Sequence, residues 1–110
     1  MKNLFDLYDC DNAEEVCGFI LQSGEVVSVP NVHPEPTDGF EIDPRETLRY
    51  IEELAGIWHT HPNSTSVLSG EDKLYIEQWP QLAHYVIGQD GIREYAVKNG
   101  VVINANYIPR

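Results

Sequence analysis

The chain has 110 residues, of which 42% are hydrophobic, and its 7 basic and 18 acidic residues give a formal net charge of −11 at pH 7. This length predicts a single domain that spans residues 1–110. The negative charge argues against binding to nucleic acid or to an anionic membrane surface, because both are themselves negatively charged. A basic protein or peptide partner is compatible with the charge.

Targeting signals and cysteine motifs also narrow the possibilities. No apolar run approaches the roughly 20 residues of a membrane-spanning helix, and the first residues lack the apolar stretch of a signal peptide. The sequence therefore predicts a cytoplasmic protein. Cys10 and Cys17 form no Cys-x-x-Cys motif, which argues against a zinc ribbon or a thioredoxin-type centre. Both are expected to be free thiols, since disulfides are rare in reducing compartments.

The first third of the sequence predicts a short helix and a β-hairpin. Helical spacing of three apolar residues predicts the N-terminal helix: Leu4, Leu7 and Tyr8. The apolar run at 16–21 predicts a buried strand, and the valine-rich run at 26–29 predicts a second strand. Because Ser23-Gly24 between the two runs is a turn signal, the strands are expected to pair as a hairpin.

A proline-rich loop is predicted next. Residues 30–39 contain three prolines and one glycine, and proline removes backbone hydrogen-bond donors, so the segment is expected to be extended. Phe40 and Ile42 predict a short strand directly after it.

A capped helix is predicted to follow this loop. Asp43-Pro44 is typical of an N-cap followed by the first helical residue, and Glu46 at the third helical position would complete a capping box. The predicted apolar stripe of this helix is Leu48, Ile51 and Leu54.

The second half of the chain predicts strands around one more helix. Residues 55–61 predict a strand that ends at Pro62, and Ser69-Gly70-Glu71-Asp72 opens a helix whose apolar residues are Leu74, Tyr75, Ile76 and Trp79. Three further strands are expected at 83–87, 92–97 and 101–103, the last two joined by an Asn-Gly turn. Together these elements predict an α+β fold: a mixed, largely antiparallel β-sheet with helices packed on it.

The spacing of His59 and His61 indicates a possible metal site. In a strand, residues two apart point to the same face, with Cα atoms about 6.5–7 Å apart. Two imidazoles at this distance can converge on one zinc ion. A His-x-His pair alone, however, is more typical of two half-exposed polar residues on an edge strand.

Asp72 and Ser69 strengthen the metal hypothesis. A hydrolytic zinc site needs three protein ligands and one open position, and His59, His61 and Asp72 supply that ligand set. The pattern Ser-x-x-Asp is also a helix-start signature, and the two interpretations are compatible because one turn can do both. The Ser69 hydroxyl is a candidate to stabilise the oxyanion that forms during amide hydrolysis.

Glu15 is the candidate general base for this hydrolysis. It directly precedes the predicted buried strand, where a carboxylate could take a proton from water and return it to a leaving amine. From composition alone, Glu14 and Glu15 are more typical of a solvated acidic turn.

The order of these residues resembles that of a known family. His59-Thr60-His61-Pro62, six further residues, Ser69, two residues and Asp72 form the pattern of the JAMM (MPN-plus) zinc metalloproteases. The family's catalytic glutamate lies close before a strand glycine, and Glu15 ahead of Gly18 is similar to it. The resemblance implies Zn²⁺ held by His59, His61 and Asp72, with Glu15 and Ser69 as catalytic residues, on a cytidine-deaminase-like JAMM/MPN architecture.

The resemblance also implies functions and partners. The expected activity is hydrolysis of a peptide or isopeptide bond in a protein substrate, either a ubiquitin-like protein or a phage tail component. The compact form and the segment 40–44 are most similar to JAMM domains of tailed-phage tail-assembly proteins, where an NlpC-type peptidase domain often follows. Such a protein would act in the host cytoplasm. The alternative is a catalytically silent tail-assembly scaffold with a structural zinc site.

The remaining histidines, tryptophans and the second cysteine are predicted to be structural. His33 lies in the proline-rich loop and His84 opens a strand, and neither has a partner at metal-ligand spacing. Trp58 and Trp79 are expected in the core, and Cys17 as a small buried residue. A zinc deaminase is excluded because its His-x-Glu and Pro-Cys-x-x-Cys elements are missing.

Overall fold

The computed structural model describes residues 3–110. This part of the chain contains one short 3-10 helix, two α-helices and six strands. In chain order they are the 3-10 helix Leu4–Leu7, β1 Cys17–Leu21, β2 Val26–Val29, α1 Pro44–Tyr50, β3 Leu54–Thr60, α2 Gly70–Gln78, β4 Ala83–Ile87, β5 Gly91–Lys98 and β6 Val101–Pro109.

Across the described residues the strands form one six-stranded sheet in the order β2-β1-β3-β4-β5-β6. Neighbouring strands are antiparallel except β3 and β4, which are parallel and are connected through α2. The predicted α+β fold with a mixed, largely antiparallel sheet is therefore confirmed. Within residues 3–110, neither α-helix has the length and apolar character to cross a membrane.

The core lies on both faces of the central strand β3. Ile57 packs with Phe19 in a cluster that also contacts Tyr75 of α2. The next residue, Trp58, points to the opposite face, where it packs with Leu7 of the 3-10 helix. Trp58 is fully buried, as expected for a core residue.

The hairpin and the free thiols agree with the sequence predictions, whereas the segment 30–39 is not extended throughout, because it forms bends and turns at 34–38. β1 and β2 pair in antiparallel register, and neither Cys10 nor Cys17 is in a disulfide. Burial raises the pKa of the Cys17 thiol to about 12, with the charge of Glu15 as a further cause, so this thiol is not a nucleophile at neutral pH.

The short strand predicted at Phe40 and Ile42 is wrong. Both residues are in irregular backbone, although their side chains are buried with 6% and 5% of their surface exposed. The backbone groups of Glu41 form hydrogen bonds within the loop and not with a strand: its N–H donates to Asn31 Oδ1, and its carbonyl accepts from the Val32 N–H. The apolar residues therefore reach the core without joining the sheet.

The predicted capping box and apolar stripe of the helix after Asp43 are also wrong. Asp43 caps the helix by accepting from the Arg45 N–H, while Glu46 lies 3.8 Å from Arg49. The helix ends at Tyr50, and Leu54 begins β3 instead. Its buried residue is Thr47, whereas Leu48 is 68% exposed. Seven residues make too short a helix to carry a complete buried stripe.

One predicted core residue and two predicted strand limits also differ from the structure. Leu74 of α2 is 64% exposed instead of packing in the core. The strand predicted at 101–103 continues to Pro109. Asn104 and Asn106 break the apolar pattern, but both pair with β5, on either side of a register shift between Glu94 and Tyr95. His61 lies one residue beyond the end of β3.

Candidate metal centre

The two histidines meet at the end of β3. The Nε2 atoms of His59 and His61 are 3.2 Å apart, and only 4% and 9% of the two residues is exposed. Phe40 stacks on the His59 ring with centroids 4.2 Å apart, and its own ring contacts Tyr75 of α2. The structure thus brings the predicted pair together on one side of the strand end.

Asp72 reaches the histidines from the first turn of α2. Its Oδ1 lies 3.2 Å from His59 Nε2 and its Oδ2 lies 2.9 Å from His61 Nε2. The same residue closes a capping box: the Asp72 N–H donates to Ser69 Oγ at 3.1 Å, and Asp72 Oδ2 accepts from the Ser69 N–H at 3.0 Å. One turn therefore caps the helix and orients the carboxylate.

Glu15 completes the group from the chain segment before β1. Ligand atoms of Glu15, His59, His61 and Asp72 all lie within 4.8 Å of one another. Antiparallel pairing explains the position: Cys17 pairs with His59, and Val16 exchanges hydrogen bonds with Thr60, so Glu15 comes next to His61. Glu15 is 7% exposed, unlike the solvated residue that composition alone suggests.

Buried atoms of this group match the needs of a metal ion. His61 Nδ1 lies 2.9 Å from the Thr65 carbonyl, which can only accept, so Nδ1 donates there and Nε2 is the ring nitrogen left for a metal ion. Nε2 faces His59 Nε2 and an Asp72 oxygen, to which it donates when the ring is protonated. Glu15 Oε1 is buried without a hydrogen-bond partner among residues 3–110. Converging acceptors of this kind fit a divalent cation.

The pKa values of the candidate ligands follow from burial and from contacts with their neighbours. Burial lowers the pKa of His59 below its ordinary value. Burial would also lower that of His61, but hydrogen bonds to Asp72 and to the Thr65 carbonyl, with the charges of Asp72 and Glu15, raise its pKa. For Asp72 the penalty of burial is outweighed by hydrogen bonds to both histidines, which hold its pKa well below its usual range.

The pKa of Glu15 shifts in the opposite direction from that of Asp72. Burial raises it from 4.5 to about 7, and although the nearby His61 opposes this rise, the negative charges of Asp72 and Glu71 add to it. A carboxyl group that gains and loses its proton near neutral pH suits a general base.

Two recesses open beside the group. The first, of about 310 Å³, is lined by Glu15, His61 and Ser69 together with the loops around 37–38 and 61–64. The second is an apolar groove of about 570 Å³ between α1 and α2, which borders Asp72 and contains Leu48 and Leu74. The predicted site residues are therefore together, and Ser69 lies on the open side.

The family model for prokaryotic homologs of the JAB domain matches residues 2–99. The chain belongs to this JAB-domain family. The resemblance to JAMM (MPN-plus) proteins is thereby confirmed at the level of the family.

Two curated relatives of this JAB-domain chain have names that describe an activity. Desampylase from Haloferax volcanii is 30% identical over 94 residues, which cover 74% of this chain and 67% of desampylase. A Thermus thermophilus protein named "Probable TtuB-protein conjugate cleaving protease" is 28% identical over 82 residues, which cover 68% of this chain and 54% of that protein. The chain thus spans between about half and two thirds of these relatives.

A solved structure has the same fold as this JAB domain. The solution structure of a protein from Desulfitobacterium hafniense superposes with a TM-score of 0.68 and covers 89% of this chain and 80% of that protein. Its sequence identity is 22%, so the likeness concerns the fold.

Sequence reasoning missed the residues that fix the loop after His61 in the JAB-domain site. Asp90 accepts from the Ser66 N–H at 2.7 Å and pairs with Arg93 at 2.7 Å, which anchors the loop that carries the Thr65 carbonyl. The loop backbone also packs closely on Gly88, where only glycine fits because a Cβ would lie 2.4 Å from Ser66 N. These contacts are distant in the sequence, and no local pattern indicates them.

The proline-rich loop also contributes contacts that the sequence did not reveal. His33, predicted to be structural, lies 2.8 Å from Glu71 on α2, and Asn31 bonds to the backbone of Glu15. His84 is buried and contacts the Trp79 carbonyl at 2.9 Å, in keeping with a structural residue.

Proposed function

We propose that the protein is a zinc-dependent isopeptidase that cleaves the bond between a ubiquitin-like protein and the protein to which it is conjugated. The observation that carries the proposal is the buried group of Glu15, His59, His61 and Asp72, whose ligand atoms lie within 4.8 Å of one another. The names of the two relatives, desampylase and a conjugate-cleaving protease, support the choice of substrate.

In this proposal His59, His61 and Asp72 hold the metal. Bound zinc would supply a Lewis acid that polarises the substrate carbonyl and activates water. Glu15 takes a proton from the attacking water and passes it to the leaving nitrogen as the carbon–nitrogen bond breaks. Water thus adds its oxygen to the carbonyl carbon, and the products are a carboxylate and a free amine.

Ser69 is proposed to stabilise the oxyanion of this reaction. Its Oγ accepts the Asp72 N–H at 3.1 Å, which leaves the hydroxyl proton free to donate. The side chain lines the same recess as Glu15 and His61, so a substrate carbonyl placed there would be within its reach.

The apolar groove between α1 and α2 supports a protein substrate. It borders Asp72, and both Leu48 and Leu74 in it are more than 60% exposed. Exposed apolar surface next to a reactive centre is typical of a place where a partner protein docks.

The experiment is the variant Glu15→Gln with Glu14→Gln as the matched control. We expect Glu15→Gln to bind one zinc per chain but to lose cleavage of a purified ubiquitin-like conjugate, because glutamine cannot accept the proton. Glu14 is exposed, so its variant should retain both properties. Cleavage by Glu15→Gln at the wild-type rate would refute the role of Glu15.

A second candidate is a scaffold domain with a structural metal site. The proximity of the Glu15 carboxylate favours it, because a fourth protein ligand would close the coordination sphere as in structural zinc sites. In that case Glu15→Gln would lower zinc affinity and no conjugate would be cleaved by the wild type. The phage-tail role and the NlpC-type neighbour domain stay predictions, since neither relative's name refers to a phage tail.

A further inference from the structure

We propose that Asn31 is a positioning residue for Glu15, acting through the backbone and not through the substrate. The inference rests on the proposed function, in which Glu15 moves the proton. Asn31 lies in the proline-rich loop, and its hydrogen bond to Glu15 is to the main-chain carbonyl and not to the carboxylate.

The Glu15 side chain does not fix its own position. Its Oε1 is buried and has no hydrogen-bond partner in the described part of the chain. The residue also lies outside regular secondary structure, two positions before β1. Its location must therefore come from its backbone, and both polar backbone groups of Glu15 are bound by the proline-rich loop: the N–H donates to the Pro36 carbonyl at 2.8 Å and the carbonyl accepts from Asn31.

Asn31 organises this loop with four hydrogen bonds. Its Nδ2 donates to the carbonyls of Glu15 at 2.9 Å and Gly39 at 3.0 Å. Its Oδ1 accepts from the N–H groups of His33 at 3.1 Å and Glu41 at 3.0 Å. One amide side chain thereby ties the two arms of the loop together and ties the loop to Glu15.

The far side of the loop is fixed to the helix that carries Asp72. His33 Nδ1 accepts from the Glu35 N–H at 2.9 Å, so its Nε2 carries the proton that faces Glu71 at 2.8 Å. Gly39 packs closely against this pair: a Cβ at this position would lie 2.8 Å from the Glu71 carboxylate. The loop therefore spans from Glu15 to α2, and Asn31 connects the two sides.

Loss of the Asn31 amide should move Glu15 relative to the metal ligands without removing any of them. Val16 remains bonded to Thr60, so the change would be a tilt of one residue and not a loss of β1 pairing. Catalytic groups are sensitive to such shifts, since a displacement of about 1 Å can cost about a hundredfold in rate.

The test compares Asn31→Asp with Asn12→Asp. Aspartate at 31 keeps the acceptor for His33 and Glu41 but replaces the amide donor with an oxygen that repels the two carbonyls. Asn12 accepts from the Glu14 N–H, which aspartate can also do, so Asn12→Asp adds the same charge near the same segment without removing a donor bond.

In the activity measurement we expect Asn31→Asp to lower kcat by about 10- to 100-fold. KM for the conjugate and the zinc content should stay close to wild type, because aspartate keeps the hydrogen bond to Glu41 in the wall of the apolar groove and removes no ligand atom. Asn12→Asp should retain kcat. An unchanged kcat in Asn31→Asp, or a loss caused entirely by KM, would overturn the proposal.

An activity-independent measurement separates this inference from the proposed function. Amide hydrogen exchange of the protein in zinc should show the Glu15 N–H exchanging at least about tenfold faster in Asn31→Asp, because its acceptor belongs to the loosened loop. The Thr60 N–H, bonded to Val16, should keep its protection. If the wild type cleaves no conjugate, the proposed function fails while this result still decides the role of Asn31. Equal exchange of Glu15 in both proteins would overturn that role.

Discussion

The two sides of the candidate site are built in different ways. His59 belongs to β3, and Asp72 lies in the first turn of α2, where a capping box fixes its carboxylate. Glu15 comes from an irregular segment, and its carboxylate oxygen Oε1 has no hydrogen-bond partner within residues 3–110. Two of the three candidate ligands are thus held by regular secondary structure and the third, His61, directly follows β3, whereas the base side is held by one loop.

The loops behind the two sides differ as well. The loop after His61 is anchored through Ser66 to a charged pair, Asp90 and Arg93, at the start of β5. The proline-rich loop binds the Glu15 backbone through the uncharged Asn31, and it contacts α2 through His33 and Glu71. Metal binding and turnover should therefore be separable. Substitutions on the ligand side should abolish both metal binding and turnover, whereas substitutions on the base side should lower turnover alone.

The largest expected effect comes from Asp72→Ala on the ligand side. Removing this carboxylate deletes one proposed ligand and one half of the capping box. Because even contacts behind a metal ligand contribute about 10- to 100-fold in affinity, loss of the ligand itself should weaken zinc binding by more than about 100-fold. Isothermal titration with zinc, and conjugate cleavage at equimolar zinc, would measure it.

Glu71→Gln is the control for that variant. Glu71 is the preceding residue on the same helical turn and is exposed, and it faces His33 and not the histidine pair. Zinc affinity should remain within a factor of about three. An Asp72→Ala protein that titrates like the Glu71→Gln protein would exclude Asp72 as a ligand.

The ligand side was predictable from local rules. Residues two apart in a strand share a face, which places His59 with His61, and the Ser-x-x-Asp signature starts a helix at Ser69. Each rule needs only a few neighbouring residues. The order of strands and helices was predictable for the same reason, because turn signals and apolar runs are local.

The base side could not be predicted in the same way. Glu15 and Glu14 are indistinguishable in a local window, and only the pairing of β1 with β3 buries one of them. The bond from Asn31 to Glu15 crosses 16 positions. The exposed Leu48 was mispredicted for a related reason: the period of a helix locates an apolar face but not the groove that it lines.

Ser69 lies where the two sides meet, and two substitutions can separate its roles. Both Ser69→Gly and Ser69→Ala remove the proposed oxyanion donor, so each should reduce kcat by about 10²–10³-fold. Glycine is tolerated at an N-cap at a cost of a few tenths of a kcal/mol, whereas alanine there costs about 1 kcal/mol. Only Ser69→Ala should therefore also lower the urea midpoint of the metal-free protein. Equal activity of both variants and wild type would limit Ser69 to capping.

The smallest expected effect is a pH dependence of stability on the base side. In the metal-free protein burial raises the pKa of Glu15 from 4.5 to about 7, so between these values the native state binds the proton more tightly than the unfolded chain does. The stabilising contribution of the protonated group is complete below about pH 4.5 and is lost as the pH rises to about 7. Glutamine does not titrate, so the stability of Glu15→Gln relative to wild type should increase over this window.

This increase should reach about 1–3 kcal/mol and then level off above pH 7, given that one pKa unit corresponds to about 1.4 kcal/mol. Urea unfolding in the presence of a chelator at several pH values would measure it, with Glu14→Gln correcting for the loss of one negative charge. Parallel curves for Glu15→Gln and wild type would mean that the carboxyl group is hydrated in solution. Glu15 would then not be buried in solution, and its raised pKa, which distinguishes it from Asp72 on the ligand side, would have no cause.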